Sequence, residues 1–306
     1  MRLRQKVIRG IIVLLLKGVA AVVRFLPWNA ASRLGGFLGQ MVFRTLKKER
    51  EKARTHFNLA FGKETDPRNR EAVLLKSFEN LGRSILEVLK LPQVNKKNID
   101  RLVRFQGEEN LKEAFERKKG IVFVTAHFGN WELMGAALSI KGYPTNVIAA
   151  PLYDSRIDEI MIGIRTSQGI ETITRGGERG SRMILSALKK NQILGLLIDQ
   201  DIDAEGVFVD FFNRPAYTPS GAASLALRSG ASVIFGFIER VKNNRHLVKF
   251  EGPAELRRSG NAQKDIHDNT AYFTQVIEKN IRRRPDHWVW MHNRWKTLPS
   301  GHHEPS

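Results

Sequence analysis

The sequence predicts an α/β protein, with a central, mostly parallel sheet flanked by helices and entered through a long helical stretch. Three observations carry that expectation. After Lys118-Lys119-Gly120, short β-like runs alternate with helical patterns, as in chains built from βα units. Most of those runs are continuously apolar, which suits strands covered on both faces. Before Lys118 the periodicity is helical.

Taken in order, residues 1–56 form a basic, hydrophobic segment. Thirteen Lys or Arg stand there against Glu49 and Glu51, a net of +11 within a chain of net +19. The most apolar stretch, "IIVLLLKGVAAVVRFLPW" from Ile11 to Trp28, lies in this segment. Lys17 interrupts it near the middle, and a Lys at a bilayer centre costs about 2.5–3.5 kcal/mol. Lys17 and Arg24 share one face of a helical wheel, with Arg9 close by, so the stretch reads as an amphipathic helix lying in a membrane interface. A single spanning anchor is the second reading, and a core helix with snorkelling cations the third. No small-residue cleavage site follows it cleanly, which argues against a signal peptide. Cations interleaved with Leu, Val and Trp suit a lipid surface rather than nucleic acid. The absence of cysteine excludes disulfides, thiolate catalysis and Cys-ligated zinc.

Residues 57–306 are expected to form the second unit, with a helical lead-in over 57–117 and an α/β core over 118–296. In the lead-in, Leu74, Phe78, Leu81, Ile85 and Val88 recur at helical spacing between Asn69 and Leu91, and Pro92 ends the pattern. In the core, "IVFVTA", "TNVIAA", "ETIT", "ILGLLID", "VFVDFF", "SVIFGFI" and "HLVKF" read as strands. Helices fit over Ser155–Gln168, Glu178–Lys190 and Ser220–Arg228. A last helix, around Asp265–Arg283, precedes a Trp-rich tail.

The stretch "VFVTAHFGNWELMG" raises the chemical question. A strand ending near Ala126 leaves His127 at the carboxyl edge of the sheet, where α/β ligand crevices lie. Gly129 permits the turn, Asn130 is a good N-cap, and Glu132 falls in the first helical turn. A carboxylate there can hold the imidazole in one tautomer, making a general base with its orienter. With no Ser or Cys nucleophile beside it, His127 would activate a substrate hydroxyl directly. The plainer alternative is a capping Glu and a loop His in ordinary hydrogen bonds.

"TAHFGNWELMG" resembles the HX4(D/E) motif of the late, or secondary, lipid A biosynthesis acyltransferases, the lauroyl and myristoyl transferases of Gram-negative bacteria. "NVIAAPLYDSRIDEIMIGIRTSQG" is similar to that family's arginine block, "LLIDQD" to its acidic motif, and "FFNRPAYTPSGAASLA" to its pocket segment. "HWVWMHNRWKT" is similar to its C-terminal signature, so the resemblance covers nearly the whole chain. It implies a glycerol-3-phosphate-acyltransferase-like fold and transfer of a fatty acyl chain from acyl carrier protein to a hydroxyl of a lipid A precursor (Kdo2-lipid IVA-like). The site would lie on the cytoplasmic face of the inner membrane, anchored by the N-terminal helix. By the same resemblance His127 is the base, Glu132 its orienter and Arg165 the group that meets the developing oxyanion, aided by backbone N–H groups around Phe128 and Gly129. Asn130, Asp199, Asp201 and Arg214 are implied to contact substrate, with Asp199 turned toward Arg165 or a nearby donor. No cofactor and no metal are implied, and a basic surface would attract an acidic carrier protein, an anionic acceptor and the membrane alike.

Other readings stay open at this point. An acyltransferase for another glycolipid is the nearest. "DQD" also permits a metal-dependent hydrolase or glycosyltransferase built on Asp199, Asp201 and His127. A basic binding protein without catalysis is the last. "RGGERG" reads as a turn into a helix, His287 and His292 as packed among tryptophans, and His302 and His303 as tail.

Overall fold

The structure, a computed structural model, describes residues 18–62, 65–151 and 154–299. Residues 11–17 of the apolar stretch, and with them Arg9, lie outside the described residues, as do His302 and His303. Residues 18–25 are helical. Helices α1 (Trp28–Thr45), α2 (Lys47–Phe61), α3 (Pro67–Lys90) and α4 (Ile99–Leu102) follow. The α/β portion then runs β1 (Val103–Gln106), α5 (Glu108–Glu116), β2 (Ile121–Thr125), α6 (Trp131–Ile140), β3 (Thr145–Ala149), α7 (Ser155–Ser167), β4 (Glu171–Thr174), α8 (Gly177–Lys189) and β5 (Ile193–Leu197). It ends with β6 (Gly206–Asp210), β7 (Pro215–Pro219), α9 (Gly221–Ser229), β8 (Ser232–Arg240), β9 (His246–Glu251) and α10 (Ala262–Arg283).

The main sheet has the order β1-β9-β8-β2-β5-β3-β4. Five strands, β8 to β4, are mutually parallel. β9 joins antiparallel to β8 and carries β1 parallel to itself. β6 and β7 form a separate antiparallel hairpin. Neither β1 nor β7 was expected. "VRFQ" is a short edge strand that alternates polar and apolar residues, and "PAYTP" is framed by prolines, which lack a ladder donor.

β2 is buried along its full length and separates two apolar layers. On one face Val122, Val124 and Ala126 pack with Leu188 of α8, Ala222 of α9 and Phe273 of α10. On the other, Ile121 and Phe123 pack with Leu133 and Met134 of α6. Trp288, Trp290 and Trp295 of the C-terminal tail are buried in the first layer against Phe57, Phe61 and Phe211, so these tryptophans pack the core.

α3 begins two residues before the expected start because Asp66 caps it, accepting from the Arg68 N–H, and Pro67 occupies its first turn. The boundary expected after residue 56 falls inside α2, whose His56 hydrogen-bonds the Trp290 carbonyl and Asn293. α1 lies against α3 at backbone distance. A Cβ at Gly35 would sit 2.3 Å from the Gly82 carbonyl oxygen, and one at Gly39 would sit 2.1 Å from that of Phe78. Lys90, at the end of α3, donates to the carbonyls of Val23, Arg24 and Leu26 and so ties the preceding helical residues to the body. Among the described residues no helix is long and apolar enough to cross a membrane.

Candidate active site

Adjacent strands β2 and β5 leave the sheet toward opposite faces. β2 leads into α6 on one side, and β5 leads through the β6–β7 hairpin to α9 on the other. That divergence is a topological switch point, where open α/β sheets hold their ligands. Register then fixes the chemistry. Thr125 pairs with Leu197, and His127 and Asp199 each stand two residues further on.

His127 Nδ1 lies 2.9 Å from Asp199 Oδ1, and the His127 backbone N–H donates to Asp199 Oδ2 at 3.0 Å. Trp288 Nε1–H donates to the same Oδ2 at 2.8 Å. Burial alone would raise the Asp199 carboxyl. The charge and hydrogen bonds of His127, with the Trp288 indole, outweigh it and hold Asp199 below the usual carboxylate value. An ionised carboxylate only accepts, so Nδ1 bears the imidazole proton and Nε2 is left as the basic nitrogen.

The carboxylate partners are therefore exchanged relative to expectation. Glu132 does not orient His127; it grips Arg165 in a bidentate pair, Nε–Oε2 2.9 Å and Nη2–Oε1 2.5 Å. α6 carries Glu132 in its first turn, and α7 brings Arg165 to it in its last. Burial alone would lower the Arg165 guanidinium, but the Glu132 hydrogen bonds and charge more than offset it, so its value is raised.

His127, Glu132 and Arg165 all line a cavity of about 570 Å³. Its wall is largely aliphatic, including Val147, Ile148, Leu196, Ile202 and Leu225. The volume lies in the ~300–1,000 Å³ range of small-molecule sites.

The remaining expected contacts are placed differently. Asn130 is buried; its Oδ1 accepts from the Leu133 N–H and its Nδ2 donates to Glu87 at 2.9 Å, so it caps α6 from the interior and is not part of the cavity wall. Asp199 is committed to His127. Asp201, also buried, accepts from the Thr297 N–H and hydroxyl and pins the C-terminal tail. Arg214 sits exposed in the β6–β7 turn, donates to the Leu59 carbonyl and is not part of the cavity wall. Two expected oxyanion donors are also spent: the Phe128 N–H goes to the Ala126 carbonyl, and the Gly129 N–H to that of His287. Gly129 has φ +62°, and a Cβ there would lie 2.0 Å from the Ile238 carbonyl oxygen, so only glycine fits this turn. Of the groups expected to meet developing charge, only the Arg165 guanidinium lies at the cavity wall.

Sequence reasoning missed two residues. Trp288, one of the tail tryptophans, supplies an indole donor to Asp199, and its position in the Trp-rich signature could have flagged it. Glu87 is fully buried, pairs bidentately with Arg240 and supports Asn130; no local pattern announces it. Burial pushes His246, which lies beside Glu87, down to about 4, against the Glu87 charge, which works to raise it. Its ordinary value is about 6.5, so below that pH the unfolded chain binds a proton that the folded chain refuses. Stability is therefore expected to fall from pH 6.5 toward pH 4, by up to about 1.4 kcal/mol per pH unit from this residue. Urea unfolding at pH 7, 6 and 5 measures it, with His246→Gln expected to flatten the slope. A wild-type unfolding free energy that stays constant over this range rejects the assignment.

An imidazole tethered to a buried carboxylate, with a charged Arg–Glu pair at the wall of a largely aliphatic cavity at a sheet switch point, is the arrangement of an α/β enzyme site with an apolar pocket. Comparison with known sequences specifies the class. The profile of the family described as bacterial lipid A biosynthesis acyltransferase matches residues 3–297, and the chain belongs to that family. It is an O-acyltransferase. The lipid A biosynthesis lauroyltransferase of Escherichia coli (strain K12) is 27% identical over 286 residues, covering 93% of this chain and 91% of that protein. The lipid A biosynthesis palmitoleoyltransferase of the same organism is 27% identical over 90% of this chain and 88% of its own length. A phosphatidylinositol mannoside acyltransferase of Mycobacterium tuberculosis (strain ATCC 25618 / H37Rv) is 31% identical over 54% of this chain and 53% of its own.

Proposed function

We propose that this acyltransferase moves a fatty acyl chain from an acyl carrier protein thioester to a hydroxyl of a lipid A precursor of the Kdo2-lipid IVA type. The observation that carries the mechanism is the His127–Asp199 pair at the cavity wall. In this reading the acyl chain occupies the aliphatic cavity. His127 Nε2 removes the hydroxyl proton as the oxygen attacks the thioester carbonyl. Arg165, held by Glu132, meets the tetrahedral oxyanion. Collapse breaks the C–S bond, and His127 returns the proton to the departing thiolate. The reaction needs no metal or organic cofactor. The reading also places the enzyme at the cytoplasmic face of the inner membrane, held there by its basic N-terminal segment. Family membership and the net charge of +19 support an anionic glycolipid acceptor, an acidic carrier protein and a lipid surface together.

The test is an acyl-transfer assay on detergent-solubilised protein, with carrier-protein donors of several chain lengths and the tetraacylated, Kdo-bearing precursor. Mass spectrometry of the lipid is expected to show gain of one acyl group, and the best donor reports the chain length the cavity accepts. A folded preparation that acylates phosphatidylinositol mannosides and leaves the lipid A precursor untouched would move the acceptor. Transfer to neither removes the proposal.

A further inference from the structure

Helix α1 is apolar on two sides. Its inner side, with Ala31, Gly35, Gly39 and Phe43, is buried. Its outer side repeats Leu34, Phe37, Leu38, Met41 and Val42 at three- and four-residue spacing, and all five are exposed, Phe37 at 55% and Leu38 at 45%. Phe25 before the helix and Leu46 after it are 90% and 50% exposed. A helix facing water turns polar residues outward, and a contiguous apolar stripe of this kind marks a surface that meets something.

The charges indicate what it meets. Arg24, Arg33, Arg44, Lys47 and Lys48 are all exposed along the same stretch, and residues 24–48 contain no Asp or Glu. A covering surface must therefore be apolar in its middle and anionic around it. A bilayer bearing anionic lipid presents both at once, hydrocarbon just below a layer of phosphates.

We propose that the outer stripe of α1, from Leu34 to Val42, docks flat on a membrane carrying anionic phospholipid, with its side chains entering the interface and the neighbouring cations meeting lipid phosphates. The proposal rests on the membrane part of the function given above and adds to it a docking face outside the Ile11–Trp28 segment. It is independent of the acyl acceptor.

The chain has no cysteine, so Phe37→Cys in the full chain creates a unique labelling position. An environment-sensitive fluorophore is placed there and, in a second variant, at Lys264→Cys on the exposed start of α10. Both proteins are mixed with phosphatidylglycerol–phosphatidylethanolamine vesicles. Flotation reports binding of the whole chain, and the fluorophore reports the stripe. The expected result is a blue-shifted, brightened emission at position 37, none at 264, and a much weaker effect on pure phosphatidylcholine. Phe37→Glu combined with Met41→Glu is expected to lower vesicle partition about tenfold. Vesicle-bound protein whose position 37 still reports water overturns the docking face and leaves membrane association standing. Failure to float at all overturns both. A shift at position 37 that needs no lipid and grows with protein concentration assigns the stripe to a second copy of the chain, and an equal shift on phosphatidylcholine removes the anionic requirement.

Discussion

His127→Ala is expected to lower kcat by on the order of 10³–10⁴ while leaving the unfolding midpoint close to that of the parent. In the proposed mechanism the lost rate is that of deprotonating the acceptor hydroxyl during attack, a step no neighbouring group replaces. Glu132 is committed to Arg165, and Asp199 is buried behind the imidazole. The fold should survive because Asp199 keeps two donors without the ring, the residue-127 backbone N–H and the Trp288 indole. Single-turnover measurements with a labelled acyl donor give kcat, and thermal melting gives the midpoint. A loss of less than tenfold in a folded variant would remove His127 as the base.

Asp199→Asn is expected to cost about 10²–10⁴ in kcat, with KM little changed. The reasoning is one of hydrogen-bond sense. Two donors converge on Oδ2, so the carboxamide must place its oxygen there and turn its NH2 toward His127 Nδ1. Nδ1 then has to accept, the ring proton moves to Nε2, and the basic nitrogen facing the cavity is lost. Glu132→Gln serves as the comparison, since it leaves the His127–Asp199 pair intact and acts only through Arg165. Were Glu132 the orienter, the two variants would exchange behaviour: Asp199→Asn would keep its rate and Glu132→Gln would lose the base. The sign of the Asp199 shift bears on assay conditions. Its folded value is depressed, so the stabilisation it gives is present above about pH 3.9 and is lost as pH falls through the lower folded value. The carboxylate thus stays charged across any pH at which the enzyme is assayed.

The distribution of what was legible in the sequence follows from how local each determinant is. The inner strands were readable because runs such as "IVFVT" and "ILGLL" are buried on both faces and contain little else than apolar residues. α6 and its cap were readable because Gly129, Asn130 and Glu132 are turn and N-terminal signals within four residues. The partner of His127 was not, because Asp199 lies 72 positions away and reaches it only through the register of β2 on β5. A five-residue spacing made Glu132 the obvious candidate, yet one helical turn rotates that carboxylate toward α7. Glu87 and Trp288 follow the same rule: each acts across more than 40 residues, by a contact no window of sequence contains.

The seam between α1 and α3 has a consequence for where the enzyme can work. Joints between helices in soluble proteins are usually driven by withdrawing large apolar side chains from water, and they weaken once water is replaced by oil. Here glycine backbones at Gly35, Gly39 and Gly82 touch directly, a close van der Waals contact of the kind found between helices inside a bilayer, beside the buried edge-on packing of Phe43 against Phe78. The glycine contact does not depend on the medium outside it. In the proposed docking, α1 exchanges an aqueous surrounding for a hydrocarbon one without loosening from the body that carries His127, and the groups around the cavity keep their geometry.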